Sequence, residues 1–316
     1  MRAAVYRKFG PPDVVGIEEV AQPAPGPRDV LVRMRATTVT SGDARLRARD
    51  LPKGFEFVGP LAIGVFGPRR KVLGTEFAGE VVSVGAEVSR FKVGDRVFGL
   101  DVFDCHADFK RVREDKAIAL IPEGVTFEAA VSVPFGGLTA LYFLRRAGLQ
   151  PGQTLAAVGA SGAVGAMTVQ LAAAQGLVVT GVSSGANLEL VRELGAQRVI
   201  DYTKADFTRE GVVYDAIFDT VGAVPFEDCV AALAPDGAFL NAVAPPLDMI
   251  RTRRQGRRII AGTASERPDD LRQLAGMLES GALQPVIDGV HAFEDIVAAH
   301  ARVDTKRKRG AVVVRF

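Results

Sequence analysis

The sequence predicts an α/β chain in which a doubly wound parallel sheet is joined to a second, β-rich region. Three observations predict it. Residues 154–184 spell strand, glycine turn, helix, strand. Strands and helices then alternate as far as residue 282. The first 120 residues, by contrast, carry strand and turn patterns with no βα alternation.

The βαβ unit is the most legible part. Leu155–Val158 is apolar, too short for a helix and bounded by glycine. Gly159, Gly162 and Gly165 follow at intervals of three. Ala166–Gln175 is rich in helix formers and stops at Gly176, a natural C-cap, and Leu177–Val182 reads as a second buried strand. The glycines have separate uses. One allows a turn with positive φ, one lets backbone N–H groups approach a phosphate, and Gly165 lets the helix pack close to the strand. A unit of this build seats a dinucleotide pyrophosphate on the helix N-terminus. Gly159, Ala160, Ser161, Gly162, Ala163 and Val164 are therefore the candidate phosphate loop. The spacing is GxxGxxG rather than the commoner GxGxxG, and a strand-to-helix turn that binds nothing is the alternative; the intact βαβ setting favours a cofactor. An acid ending the second strand would hydrogen-bond an NAD ribose. Ser183 and Ser184 stand there instead, followed by Gly185, Ala186 and Asn187. Serine hydroxyls can donate to a phosphate, and the missing carboxylate removes a repulsion. The expected cofactor is NADPH, with Ser183, Ser184 and Asn187 at its adenosine end.

Upstream, Ala3–Tyr6, Val14–Val20, Asp29–Thr40 and Glu76–Val84 are rich in strand formers and separated by turns such as Gln22–Pro27. Gly94–Gly99 reads as a turn into a short strand. Leu51–Pro68 is a loop carrying Phe55, Phe57 and Phe66, as local core or as pocket lining. Phe127–Ala147 reads as helix, interrupted over Pro134–Gly137. Downstream come a helix over Asn187–Leu194, strands over Arg198–Asp201 and Tyr214–Asp219, and a helix over Phe226–Leu233. Strands over Ala238–Val243 and Arg258–Gly262 and a helix over Asp269–Glu279 follow. Six strand candidates with helices between them make the doubly wound sheet. Val286–Val290, Glu294–Ala301 and Ala311–Phe316 return to strand, helix, strand and complete the first domain. The expected boundaries are 1–121 with 283–316 for the β-rich domain and 122–282 for the dinucleotide-binding domain.

Composition narrows the class. A net charge of +2 over 316 residues argues neither for nor against an anionic partner. Two cysteines, Cys105 and Cys229, exclude a disulfide framework and a CxxC-type metal site, and suit a reducing compartment. The opening MRAAVYRKFG has no apolar signal core, so a cytoplasmic protein is expected. No charge occurs from Ala147 to Leu188, yet glycines, Pro151 and glutamines interrupt that stretch well short of the ~20 apolar residues a spanning helix needs. No membrane partner is expected. The basic runs Arg251–Arg258 and Lys306–Arg309 lack interleaved aromatics and read as solvated loops rather than a nucleic-acid surface.

Several motifs recur in order along nearly the whole chain: Gly74–Val81 (GTEFAGEV), Gly94–Gly99 (GDRVFG), Val133–Ala140 (VPFGGLTA), Gly159–Gly165 and Val199–Tyr202 (VIDY). With them the sequence resembles the zinc-independent quinone oxidoreductases of the medium-chain dehydrogenase/reductase superfamily. The resemblance implies a Rossmann domain and a GroES-like β-rich catalytic domain split between the chain's two ends, an active site in the cleft, and a homodimer. It also implies Thr139 near the nicotinamide, Tyr202 beside the adenosine phosphate, and Val221 and Val243 in the cofactor groove. The last placement also follows from the rule that ligands bind at the carboxyl ends of parallel strands. Zinc-dependent relatives carry Cys where Thr40 stands and His where Thr75 stands, a third ligand near Phe135-Gly136, and a four-cysteine lobe where only Cys105 is found. Zinc needs four N, S or O ligands, so no metal is expected.

Without a metal, a simple ketone lacks its Lewis acid, whereas conjugated acceptors spread the incoming charge into an enolate or hydroquinone. The expected function is hydride transfer from NADPH to a quinone or an α,β-unsaturated carbonyl. Thr40 is the candidate donor to the acceptor oxygen, against the alternative of a strand-end hydroxyl bonded to its own backbone. Asp43, with Arg45, is either a proton relay or a structural ion pair. His106 falls beside the cleft or on the surface, and Cys105 is reactive only if its pKa is depressed. Enoyl-thioester reduction and a non-catalytic NADPH-binding protein are the alternative functions.

Overall fold

The computed structural model describes residues 1–51, 54–55 and 59–316, so Phe57 of the aromatic loop lies outside the described residues. The chain divides into two compact units: residues 1–51, 56–135 and 266–316 form one, and 52–55 with 136–265 the other.

The first unit opens with β1 (Arg2–Tyr6), β2 (Val15–Glu19), β3 (Asp29–Val39), α1 (Ser41–Ala48) and α2 (Gly59–Ile63). It continues with β4 (Glu76–Val84), β5 (Arg96–Leu100), β6 (Phe109–Arg113), β7 (Ala117–Leu120) and α3 (Phe127–Val131). β1 and β2 form a separate antiparallel pair. The long β3 pairs with β4 along one side, and β6 pairs with its first half. β5 and β7 extend the sheet from β4. Val30, Val32 and Met34 of β3 meet Phe77, Val81, Val97 and Ile118 in a core cluster, as β-branched and aromatic side chains on one pleated face should. α1, β6 and β7 lie where the sequence pattern predicts no element, and α2 lies within the expected Leu51–Pro68 loop.

α4 (Pro134–Ala147) leads into the second unit. The single interrupted helix expected over Phe127–Ala147 is two helices, α3 and α4, with Pro134 in the first turn of the second, where its missing N–H costs nothing. The unit's elements are β8 (Thr154–Val158), α5 (Ala163–Ala174), β9 (Val178–Ser183), α6 (Leu188–Glu193), β10 (Arg198–Asp201) and β11 (Tyr214–Asp219). α7 (Phe226–Cys229), β12 (Leu233–Asn241), α8 (Pro246–Ile250), β13 (Arg253–Arg254) and β14 (Arg257–Ala261) follow. The strand order is β10-β9-β8-β11-β12-β14-β13, parallel except for β13. That is the doubly wound order, with its topological switch between β8 and β11. Several element boundaries differ from the expectation. α5 starts at Ala163 rather than Ala166, because Gly162 already serves as its N-cap. The helix expected to reach Leu233 ends at Cys229, and Leu233 pairs with Tyr214 as the start of β12. Part of the Arg251–Arg258 run is a hairpin, β13–β14, turned by Gln255 and Gly256 with φ of 46° and 74°; two positive φ angles suit a two-residue hairpin turn.

The chain then returns to the first unit through α9 (Pro268–Glu279), which packs against β7, then β15 (Ile287–Ala292), α10 (Ile296–Asp304) and β16 (Ala311–Arg315). β16 lies between β15 and the second half of β3. Among the described residues, no helix is long and apolar enough to cross a membrane.

Candidate functional site

At the end of β8 the chain turns through Gly159 with φ +77°. Gly159 N and Ala160 N both donate to Val182 O at 3.0 Å, which ties the turn to β9. A Cβ at 159 would lie 2.7 Å from Val221 Cγ1 and 2.8 Å from Thr220 Oγ1, across the switch point, so crowding and the positive φ together favour glycine here. A Cβ at 165 would overlap Gly159 O. At 162 the nearest atom to such a Cβ is 3.4 Å away, so packing does not demand glycine there. Gly162 N-caps α5 with no side chain to satisfy the first amides. Those free N–H groups, with Ala163 and Val164 leading, carry the positive end of the helix dipole. This is the arrangement that holds a pyrophosphate.

Beside it, Ser183 Oγ donates to Ser161 Oγ at 2.8 Å, and Asn187 Nδ2 donates to Ser161 Oγ (3.2 Å) and Ser184 Oγ (3.1 Å). Three of the expected adenosine-end residues thus form one hydroxyl–amide cluster with Ser161. Tyr202 donates its N–H to Ser183 O and leaves its ring largely exposed. Val221 and Val243 follow β11 and β12 at their carboxyl ends. Two carboxylates there escaped the sequence reading. Asp219 is fully buried and accepts from the amides of Val221, Gly222 and Val224, fixing the loop after β11. Asp201 ends β10, opposite Ser183 in register, and its carboxylate reaches the Gly185 backbone on the turn after β9. Only the pairing register could have revealed it. Thr139 sits half-buried on α4.

Thr40 and Asp43 lie in the first unit, at the N-terminus of α1. They form a capping box: Thr40 Oγ1 accepts from Asp43 N at 3.1 Å, and Thr40 N donates to Asp43 Oδ2 at 2.8 Å. The Thr40 hydroxyl donates to the same Oδ2 at 2.6 Å. Asp43 Oδ1 accepts from Gly74 N (3.0 Å) and Thr75 Oγ1 (3.2 Å). The carboxylate therefore works through backbone and hydroxyl partners, not through Arg45. The box is written in the sequence as Thr-x-x-Asp and could have announced α1. One strand away, Glu76 is buried and accepts from the Thr38 hydroxyl and from Phe135 N (2.7 Å). Burial pushes its carboxyl up to about 7 despite those bonds.

His106 is neither on the surface nor at an open edge. It is fully buried, its Nε2 is 2.9 Å from Thr38 O, and its ring meets that of buried His300 at 5.6 Å. Burial lowers both imidazole pKa values and keeps the rings neutral. Cys105 is also fully buried, its thiol is turned to the carbonyls of Asp101 and Phe103, and burial raises its pKa, so it is no thiolate nucleophile. Among the described residues, no group of three or more His, Cys, Asp or Glu converges as metal ligands would.

Residues 26–147 match the alcohol dehydrogenase GroES-like domain, and residues 194–314 match the zinc-binding dehydrogenase family. Over 336 residues the chain is 30% identical to the quinone oxidoreductase of Pseudomonas aeruginosa, with 98% of each chain covered. The chain belongs to the quinone oxidoreductase-like members of the medium-chain dehydrogenase/reductase superfamily. It is also 30% identical over 331 residues to the chloroplastic NADPH-dependent alkenal/one oxidoreductase of Arabidopsis thaliana, covering 99% of this chain and 79% of that one. The structure of the quinone oxidoreductase from Coxiella burnetii matches with a TM-score of 0.88 at 26% identity, over 100% of this chain and 99% of that one.

As a medium-chain dehydrogenase/reductase the protein is an oxidoreductase that uses a nicotinamide cofactor. The residues fit such a dinucleotide: the uncapped α5 amides and the glycine turn suit its pyrophosphate, and the serine–asparagine cluster suits its adenosine end. At the two positions where zinc-dependent members of the superfamily carry Cys and His, this chain has Thr40 and Thr75, both with their hydroxyls on Asp43. Neither is a thiolate or an imidazole, and this donor set does not fit a tetrahedral zinc.

Proposed function

We propose that the protein is a metal-independent reductase that takes a hydride from NADPH and delivers it to a quinone or an α,β-unsaturated carbonyl. The observation that carries this is the glycine turn with its uncapped α5 amides. The chain that holds it is similar end to end to a quinone oxidoreductase and to an alkenal/one oxidoreductase. NADPH, when bound, supplies the hydride. The chain's own residues bind and orient. Gly159, Ala160, Ser161, Gly162, Ala163 and Val164 take the pyrophosphate; Ser183, Ser184, Asn187 and Tyr202 take the adenosine end; Thr139, Val221 and Val243 line the groove toward the nicotinamide. Charge arriving on the acceptor spreads into an enolate or hydroquinone, so positioning and a few hydrogen bonds are enough. Thr40 and Asp43 are the candidates for the acceptor oxygen and its proton. Because the Thr40 hydroxyl donates to Asp43, it serves an acceptor only by exchanging that bond.

The basic run that a thioester's phosphates would need is already engaged. Arg253 pairs with Asp236, Arg254 with Glu227, and Arg257 and Arg258 donate to the carbonyls of Val230 and Ala147. This favours a small conjugated acceptor over an enoyl thioester. A cytoplasmic homodimer completes the proposal. Its supports are the two buried free cysteines and the family resemblance, and sedimentation of the purified protein tests the dimer.

NADPH oxidation by the purified protein with a panel of quinones and enones tests the activity. Turnover with at least one acceptor is expected. Tight NADPH binding with no turnover on any acceptor would make it a non-catalytic NADPH-binding protein. Thr40→Val should lower kcat and leave NADPH affinity unchanged; an unchanged kcat removes Thr40 from the chemistry.

A further inference from the structure

The turn after β9 is where a dinucleotide-binding unit distinguishes a ribose 2′-hydroxyl from a 2′-phosphate. β9 itself brings no charge to it. Ser183 turns its hydroxyl inward to Ser161, and Asn187 is spent on Ser161 and Ser184. Charge reaches the turn from the neighbouring strand instead. Asp201 pairs with Ser183 in register and sends its carboxylate under Gly185, whose nearby backbone N–H favours its charged form. A Cβ at 185 would lie 2.6 Å from Asp201 Oδ2, so glycine is what allows the carboxylate to come this close. The other oxygen, Oδ1, is held by Thr203 N at 3.0 Å and Thr203 Oγ1 at 2.7 Å, so the group cannot swing away. These bonds lower its pKa and keep it ionised. Lys204 completes the set. Its Nζ is 3.9 Å from Oδ2, while its side chain is 81% exposed and free to meet a ligand.

We infer that Asp201 and Lys204 act as opposed charges on this turn and together set the choice between NADPH and NADH. An unopposed carboxylate would repel a 2′-phosphate and accept a hydrogen bond from a 2′-hydroxyl. An unopposed ammonium would do the reverse. With both present the two effects offset, and the Ser184 hydroxyl, which within the cluster only accepts from Asn187, adds a modest preference for phosphate. The inference rests on nicotinamide-cofactor binding as described above.

The test is the dissociation constant of NADPH and of NADH, measured by fluorescence titration without any acceptor, for the parent, Asp201→Asn and Lys204→Met. Asparagine keeps an oxygen for Thr203 while removing the charge. One unit of charge a few ångströms from a phosphate, in a partly solvated site, corresponds to about a tenfold change in the NADPH/NADH affinity ratio. Asp201→Asn should move the ratio about tenfold toward NADPH, and Lys204→Met about tenfold toward NADH. Both shifts should shrink at high salt. Ratios that stay at the parent value, or that move the same way in both variants, overturn the inference. Should Asp201→Asn fail to fold in a thermal melt, the exposed Lys204→Met carries the test alone, and an unmoved ratio overturns the inference. Binding of neither nucleotide to the parent would refute the cofactor reading itself, a separate outcome.

Discussion

Two glycines three residues apart meet different demands. Gly165 faces Gly159 O so closely that a methyl group would overlap it, whereas Gly162 has ordinary room. Gly165→Ala should therefore cost about 3 kcal/mol in chemical denaturation, as overpacking does, and abolish dinucleotide binding. Gly162→Ala should cost about 1 kcal/mol or less, the change in N-cap quality, yet weaken cofactor binding by crowding the α5 amides. Equal stability losses in the two variants would contradict this division of roles. Glu76 makes a different prediction. Its carboxyl sits near 7 when folded, against 4.5 in a free chain; burial and the nearby Asp43 raise it, while Thr38, Phe135 N and Lys308 pull it down. Between those values the folded protein holds a proton that the unfolded chain has lost. Glu76's contribution is therefore complete below about 4.5 and is lost as pH rises through about 7. Glu76→Gln cannot ionise, so its stability relative to the parent should improve between about pH 5 and about pH 8, by up to about 3 kcal/mol. Urea unfolding at both pH values checks it, and a pH-independent difference would show that Glu76 does not titrate in this window.

The capping box at the head of α1 ties the helix to a distant segment of the chain. Asp43 gathers four donors, Thr40 N, Thr40 Oγ1, Gly74 N and Thr75 Oγ1, and so joins α1 to the segment that leads into β4. Asp43→Ala would strand these donors in a buried site, and a loss of about 3 kcal/mol or more is expected. Thr40→Ala should cost about 1 kcal/mol, the usual worth of an N-cap. Denaturant midpoints with an unchanged m-value would confirm both; an Asp43→Ala protein as stable as the parent would mean the box does not hold α1. The glycine turn could be read because backbone geometry demands glycine at fixed offsets. α1 was missed because Ser41 and Gly42 are weak helix formers, and its signal is the Thr-x-x-Asp pairing rather than apolar periodicity. Asp201 was invisible because its reach to Gly185 depends on the register between β9 and β10, which no local pattern encodes.

The doubly wound sheet and the β-rich unit are both evident from alternation and its absence, because a buried parallel sheet needs helices between its strands. The units' extents were harder to read. α9 follows β14 just as another layer of the parallel sheet would, yet its partner is β7; a helix's periodicity shows which face is apolar but not what covers it.

The placement of β16 bears on how the chain is made. Ala36, Thr37, Thr38 and Val39 of β3 find their outer neighbours in Arg315, Val314, Val313 and Val312, which are synthesised after the whole of the second unit. As the polypeptide leaves the ribosome, the contiguous run from 136 to 265 can collapse on itself while that half of β3 still shows a bare strand edge. Pairing β16 with β3 closes a very long loop, a slow step, and an unpaired edge invites association in the meantime. The strand left waiting is the one that leads directly into Thr40 and Asp43. A nascent chain can thus acquire its nucleotide-binding unit before the strand leading into Thr40 and Asp43 is complete.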